Sequence, residues 1–237
     1  LPKLDFDHTK KHRPEKYYKY CIRDCEIVFK ALQKFESTIN ELGVSMKMTV
    51  GSTAMALARN AGGVYPLHGG LDRKLSRAYY GGRVEDILKG DHENCFFYDI
   101  NSAYPWAMCQ AIPGPFKGVS KREPKEKPWF VRATNVKVSG RHPPIPIRMK
   151  EGLYYPQGML PEVIMSDVEA EQTNGYSPLM YYKFQPNRAL TELVESLYKK
   201  RLEGGASSLV YKILLNSMYG KFAEKPEKEA MVINPSD

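Results

Sequence analysis

Towards the end of the 237-residue chain stand Lys212, Asn216 and Tyr219, spaced i, i+4 and i+7. In a helix this spacing puts all three on one face. The column they form would be about 10 Å tall at the rise of an α-helix. It offers a cation, an amide and an aromatic ring. A triphosphate needs the cation, and a base or sugar needs a flat surface to lie on. Far upstream, Asp99 closes an apolar run and is followed by Ile100, Asn101, Ser102, Ala103, Tyr104 and Pro105. A carboxylate projected from a strand end can hold a divalent cation, and Mg²⁺ favours a few carboxylates plus phosphate oxygens. The carbonyl of Ile100 adds an uncharged oxygen ligand.

Other residues extend this chemistry. Gly220, after Tyr219, leaves room for close approach of backbone or substrate. Lys200 and Arg201 precede Gly204-Gly205, where the chain should fold back and carry both cations towards Lys212. Tyr79-Tyr80-Gly81-Gly82 is flanked by Arg77 and Arg83: the glycines admit a nucleic-acid backbone and the arginines can neutralise its phosphates. Tyr20 and Asp24, at i and i+4, put a phenol and a carboxylate on one helical face. Each feature alone has an ordinary structural explanation: a solvated helix face, an N-cap, a core ring or an exposed turn. Their order along one chain is what carries the argument.

The periodicity of Ile22, Val28, Leu32 and Phe35 predicts a helix over 15–41, with Leu42-Gly43 as its stop. A second helix is expected over 49–62, with Ser52 as N-cap and Gly62-Gly63 as terminator. Residues 64–95 read as a connector. Cys95–Ile100 reads as a buried strand. A proline-rich stretch follows, then an exposed strand over 129–138, a short helix over 163–171 and a strand over 179–184. Two helices, 188–202 and 206–223, close the chain as an antiparallel hairpin, with Leu209, Ile213, Leu214 and Met218 facing inward. The fold class is α+β.

The net charge of +8 favours a polyanionic partner. The four cysteines form no CxxC pair and no zinc spacing, which points to reduced thiols. No apolar run has membrane-spanning length and no signal-peptide pattern opens the chain. The expectation is a soluble, cytoplasmic, monomeric protein without membrane contact. Its start at Leu1 suggests a segment of something longer.

Lys212-x-x-x-Asn216-Ser217-x-Tyr219-Gly220 resembles motif B of the family B DNA polymerases, and Asp99-Ile100-Asn101-Ser102-Ala103-Tyr104-Pro105 resembles motif A, with Ala103 where leucine is usual. Tyr79-Tyr80-Gly81-Gly82 resembles the Tyr-x-Gly-Gly motif of the protein-primed branch, found in phages like phi29 and in linear plasmids. Tyr20–Asp24 resembles the third 3′–5′ exonuclease motif, and Lys3-Leu4-Asp5-Phe6 a lysine motif of the same site.

The resemblance implies a right-hand polymerase fold. Residues 1–45 would end the exonuclease domain. Residues 46–187 would be connector and palm, with an insertion within 113–178. Residues 188–223 would be the fingers hairpin, and 224–237 the return to the palm. The resemblance implies template-directed DNA synthesis with Mg²⁺, with primer-template DNA, dNTP and a terminal protein as partners. The alternatives are an RNA- or DNA-primed replicase, or a dead relic that only binds nucleic acid. Asp99 and Ile100 would hold metal at the polymerase site, and Asp24 at the exonuclease site, with Tyr20 and Lys3 beside it. Asn101, Ser102, Ala103, Tyr104, Lys200, Arg201, Lys212, Asn216, Tyr219 and Gly220 would line the nucleotide, Tyr104 excluding a 2′-hydroxyl. Tyr79, Gly81, Gly82, Arg83 and Ser217 would touch DNA. The first two exonuclease motifs would lie before Leu1, and the second polymerase acid beyond Asp237. An origin in a virus, a mobile element or a mitochondrial plasmid fits this branch.

Overall fold

A computed structural model describes residues 10–12, 14–65, 70–86 and 88–222. Lys3 and the stretch 224–237 lie outside the described residues. Helix α1 spans Pro14–Glu41, with proline at its first position, where a missing N–H costs nothing. It ends at Gly43, whose φ of 79° is open to glycine at no steric cost. The periodic apolar residues of this helix are unequally buried. Ile22, Val28 and Leu32 are exposed, Phe35 packs half-buried against the helical core, and Thr38 and Ile39 near the C-terminal end are fully buried. Periodicity reports an amphipathic helix, but burial needs a partner surface.

Helix α2, Val50–Asn60, is capped by Thr49 rather than Ser52: the Thr49 hydroxyl accepts from the Ser52 backbone N–H at 3.1 Å. Ser52 occupies the third helical position, as the donor of that bond. The connector contains a short helix α3, Leu71–Leu75, and a 3₁₀ turn, Ser76–Ala78. Helix α4, Ala103–Met108, follows Asp99 closely.

Cys95–Ile100, expected as a buried strand, has no regular secondary structure and pairs with no strand among the described residues. Its side chains are open to solvent, Phe97 fully so at 99 %. An apolar run becomes a buried strand only when a neighbouring strand takes its backbone hydrogen bonds.

The sheet is built by four antiparallel strands in the order β1-β8-β2-β7: β1 Ile112–Ser120, β2 Trp129–Thr134, β7 Val163–Ser166 and β8 Ser177–Asn187. Pro113 and Pro115 sit in β1, an edge strand whose register shifts between Pro113 and Phe116, so the missing donors cost little. β2 was expected to be exposed and is central instead. Its alternation buries Trp129, Val131 and Ala133 on one face. The expected helix over 163–171 divides into β7 and helix α5, Asp167–Glu171. The division falls at Ser166, whose hydroxyl accepts from the Glu169 N–H while the Glu169 carboxylate accepts from the Ser166 N–H. Two small ribbons complete the strands: β3 Val136–Val138 with β6 Gly158–Leu160, and β4 Ile147–Met149 with β5 Gly152–Tyr154.

Helices α6, Ala189–Leu202, and α7, Ser208–Lys221, form the predicted hairpin. Gly204 and Gly205 both hold φ of 78°, the left-handed region that reverses the chain. Leu214 and Met218 face inward with Leu190, Val194 and Leu197 of α6 and Ala54 and Leu57 of α2. Leu209, expected inside, is exposed on the first turn of α7: it stands three and seven residues before Lys212 and Asn216 and shares their solvent face. A second core lies under the sheet around Trp129, Val131 and Met165. No helix among the described residues is long and apolar enough to cross a membrane.

Candidate nucleotide and nucleic-acid site

The α7 face behaves as its spacing predicts. Lys212 and Asn216 are exposed, Tyr219 is half-buried, and a β-carbon on Gly220 would meet nothing within 4 Å. The face is fixed because the opposite residues, Leu214, Leu215 and Met218, are locked in the helical core.

Tyr219 gathers the other motifs. Its ring stacks on Tyr104 with centroids 4.2 Å apart, and on Tyr79 with centroids 5.4 Å apart. The Tyr219 hydroxyl donates to the Tyr80 carbonyl at 2.9 Å, and the Tyr79 hydroxyl donates to the Tyr219 carbonyl at 3.3 Å. Three sequence segments therefore meet in one stack of rings. Burial pushes the Tyr219 phenol well above its usual range, with its hydrogen bond to Tyr79 adding to the effect. The Tyr80 phenol is pushed up to about 12, first by burial and then by the Glu169 carboxylate, against the pull of Arg148 and Arg77. Both phenols are neutral at ordinary pH.

A second link joins the helical hairpin to the segment after Asp99. Arg201 Nη1 donates to Ser102 Oγ at 2.9 Å. Ser102 holds φ 56° and ψ 44°, a left-handed conformation rare outside glycine, and its carbonyl starts α4 by accepting from the Trp106 N–H at 2.9 Å. A strained residue of this kind is a feature of functional sites. Lys200, one residue earlier, lies 5.9 Å from the centre of the Tyr211 ring.

Asp99, Ile100 and Asn101 are exposed beside this cluster. Their donor chemistry, a carboxylate and a peptide carbonyl on adjacent residues, is hard oxygen and fits Mg²⁺ rather than a thiophilic metal. By themselves the two would be a partial shell: among the described residues no group of three or more His, Cys, Asp or Glu could hold a metal ion. Asp24, on α1, is likewise exposed, with Tyr20 one turn before it.

The Tyr79–Arg83 segment borders a cleft of about 530 Å³ lined by Tyr79, Tyr80, Gly81, Arg83, Tyr155 and Tyr219 among others. Arg83 is already engaged. Its Nε donates to Glu85 at 2.8 Å, its Nη1 to the Pro143 carbonyl at 2.8 Å, and its guanidinium lies 4.0 Å from the centre of the Tyr155 ring. Arg77 pairs loosely with Glu162 at 3.7 Å. Ser217 is half-buried on α7. Sequence reasoning missed Arg148 of β4, which donates to the Tyr79 carbonyl at 3.0 Å and approaches the Tyr80 ring. Only the folded chain brings it there, and no local pattern marks it.

Residues 5–237 match the family model described as DNA polymerase type B, organellar and viral. The DNA-directed DNA polymerase of Enterobacteria phage PRD1 is 27% identical over 238 residues, covering 95% of this chain and 41% of that protein. A solved structure of phi29 DNA polymerase with primer-template DNA aligns with TM-score 0.63 at 22% identity, covering 89% of this chain and 41% of that one. A phi29 ternary complex with primer-template DNA and incoming nucleotide aligns with TM-score 0.54 at 22% identity, over 76% of this chain and 37% of that one. The chain thus spans about two-fifths of the length of these relatives.

Proposed function

Because the chain belongs to the organellar and viral type B DNA polymerases, we propose that the full-length protein carries out template-directed transfer of a deoxynucleotide to a 3′-hydroxyl, and that this chain supplies its nucleotide-facing half. The observation that supports the reading is the stack of Tyr104 on Tyr219 together with the Arg201–Ser102 bond. They join the segment that follows Asp99 to the hairpin that carries Lys212.

Asp99 and the Ile100 carbonyl are the residues to hold Mg²⁺, which when bound would help neutralise the phosphates and lower the barrier to attack by the 3′-hydroxyl. Lys212 contacts the triphosphate as a point charge. Tyr104 lies under the sugar and excludes a 2′-hydroxyl. Tyr219 and Asn216 flank the new base pair. Gly81 and Gly82 let the template backbone approach, and Ser217 contacts DNA. Catalysis by these groups is positioning and electrostatics, with no covalent intermediate.

On the same reading, residues 1–45 end an exonuclease domain in which Asp24 binds metal and Tyr20 and Lys3 assist. Residues 46–187 are connector and palm, and 188–223 the fingers. Initiation uses the hydroxyl of a terminal protein, as the Tyr-x-Gly-Gly resemblance implies, and the polymerase works inside a host cell. Primer extension by the full-length protein tests the reading: labelled primer-template should lengthen with dNTP and Mg²⁺. Nucleic-acid binding without extension would support the relic instead. A normal primer extended with no initiation on a terminal protein would refute protein priming alone.

A further inference from the structure

Gly82 stands where a side chain would collide with the sugar-facing ring. A β-carbon built on it lies 2.9 Å from Tyr104 Oη, closer than real β-carbons come to other atoms. The adjacent Gly81 differs: a β-carbon there meets nothing within 4 Å. Nor does Gly82 have the positive φ that calls for glycine. Backbone conformation therefore does not explain it, and space does.

The backbone of this segment cannot easily retreat. The Tyr80 carbonyl accepts from Tyr219 at 2.9 Å, the Tyr79 carbonyl accepts from Arg148 at 3.0 Å, and the Tyr79 hydroxyl donates to the Tyr219 carbonyl at 3.3 Å. The Tyr104 ring is held on one face by Tyr219, with centroids 4.2 Å apart. It is otherwise 41 % exposed, so it has open space to swing into. Between a tethered backbone and a ring supported on one face only, the ring yields.

Resting on the assignment of Tyr104 as the sugar gate, we propose that Gly82 is a positioning residue for that gate, setting the Tyr104 ring by leaving its hydroxyl the volume a β-carbon would fill. A methyl group at position 82 pushes the ring off its stacked seat on Tyr219, so that the ring no longer stands at a fixed height under the sugar. The gate then loses its grip on the 2′ position. Gly82 thereby becomes a determinant of deoxynucleotide over ribonucleotide choice without touching either.

The test compares kcat/KM for dNTP and rNTP in the full-length polymerase. Gly82→Ala should lower the dNTP-over-rNTP ratio by about tenfold, the scale at which small steric changes act on discrimination. Tyr104→Phe keeps the ring but removes the colliding oxygen, so the pair Gly82→Ala with Tyr104→Phe should show the ratio of Tyr104→Phe alone. A ratio for Gly82→Ala at or above the parent value overturns the proposal. So does a lowered ratio that Tyr104→Phe fails to rescue, since the effect then passes through something other than the ring tip. Tyr104→Val separates the two assignments. If it admits ribonucleotides while Gly82→Ala does not, the gate stands and the role of Gly82 falls. If Tyr104→Val changes nothing, the gate itself falls, and the role of Gly82 with it.

Discussion

Arg201 and Ser102 lie 99 residues apart in sequence and are joined by a 2.9 Å hydrogen bond from guanidinium to hydroxyl. The bond ties the last turn of α6 to the left-handed residue just after Asp99. A double-mutant cycle with Arg201→Ala and Ser102→Ala should return a coupling of about 1 kcal/mol in unfolding free energy. Strictly additive losses would mean that the contact is incidental.

Asp99→Asn should reduce synthesis by about a thousandfold or more while leaving primer-template affinity near its parent value. A carboxamide keeps the shape of the carboxylate but binds Mg²⁺ poorly. Single-nucleotide incorporation and a filter-binding isotherm on the same preparation check both halves. Undiminished incorporation would remove Asp99 from the metal site.

Lys212→Ala should raise the apparent KM for dNTP by about tenfold, since it deletes one charge-assisted phosphate contact. Lys212 is exposed on α7, so the substitution should leave the thermal unfolding temperature nearly unchanged. An unaltered KM would place the triphosphate elsewhere.

Alkaline unfolding should report the buried phenols. The Tyr80 phenol is uncharged when protonated, and its folded value of about 12 lies above its ordinary 10.0. The folded state therefore holds that proton more tightly than the unfolded chain. The resulting stability is complete below the ordinary value and is lost as pH rises through about 12. Tyr219 shifts in the same direction. Tyr80→Phe should move the onset of alkaline unfolding, followed by circular dichroism, to higher pH. An unmoved onset would show that Tyr80 ionisation does not govern it.

Helix spacing made the α7 face legible, because Lys212, Asn216 and Tyr219 share a face in any α-helix and the leucines behind them specify which way it points. The glycine pair at 204–205 likewise announced its turn. Cys95–Ile100 was misread because its composition describes what the segment could pair with, and no described strand pairs with it. β1 was hidden by Pro113 and Pro115, which a central strand would reject but an edge strand accepts. At the site, the residue types were readable, but their contacts were not. Nothing local in the sequence says that Tyr219 lies between Tyr104 and Tyr79, or that Arg148 reaches back to the Tyr79 carbonyl.

The most direct test of the account is a structure of the full-length protein with primer-template, dNTP and a divalent cation. The account predicts one triphosphate spanning from the Asp99 carboxylate to the Lys212 ammonium, with its sugar over the Tyr104 ring. A nucleotide bound away from either residue, or the two residues facing separate cavities, would contradict it.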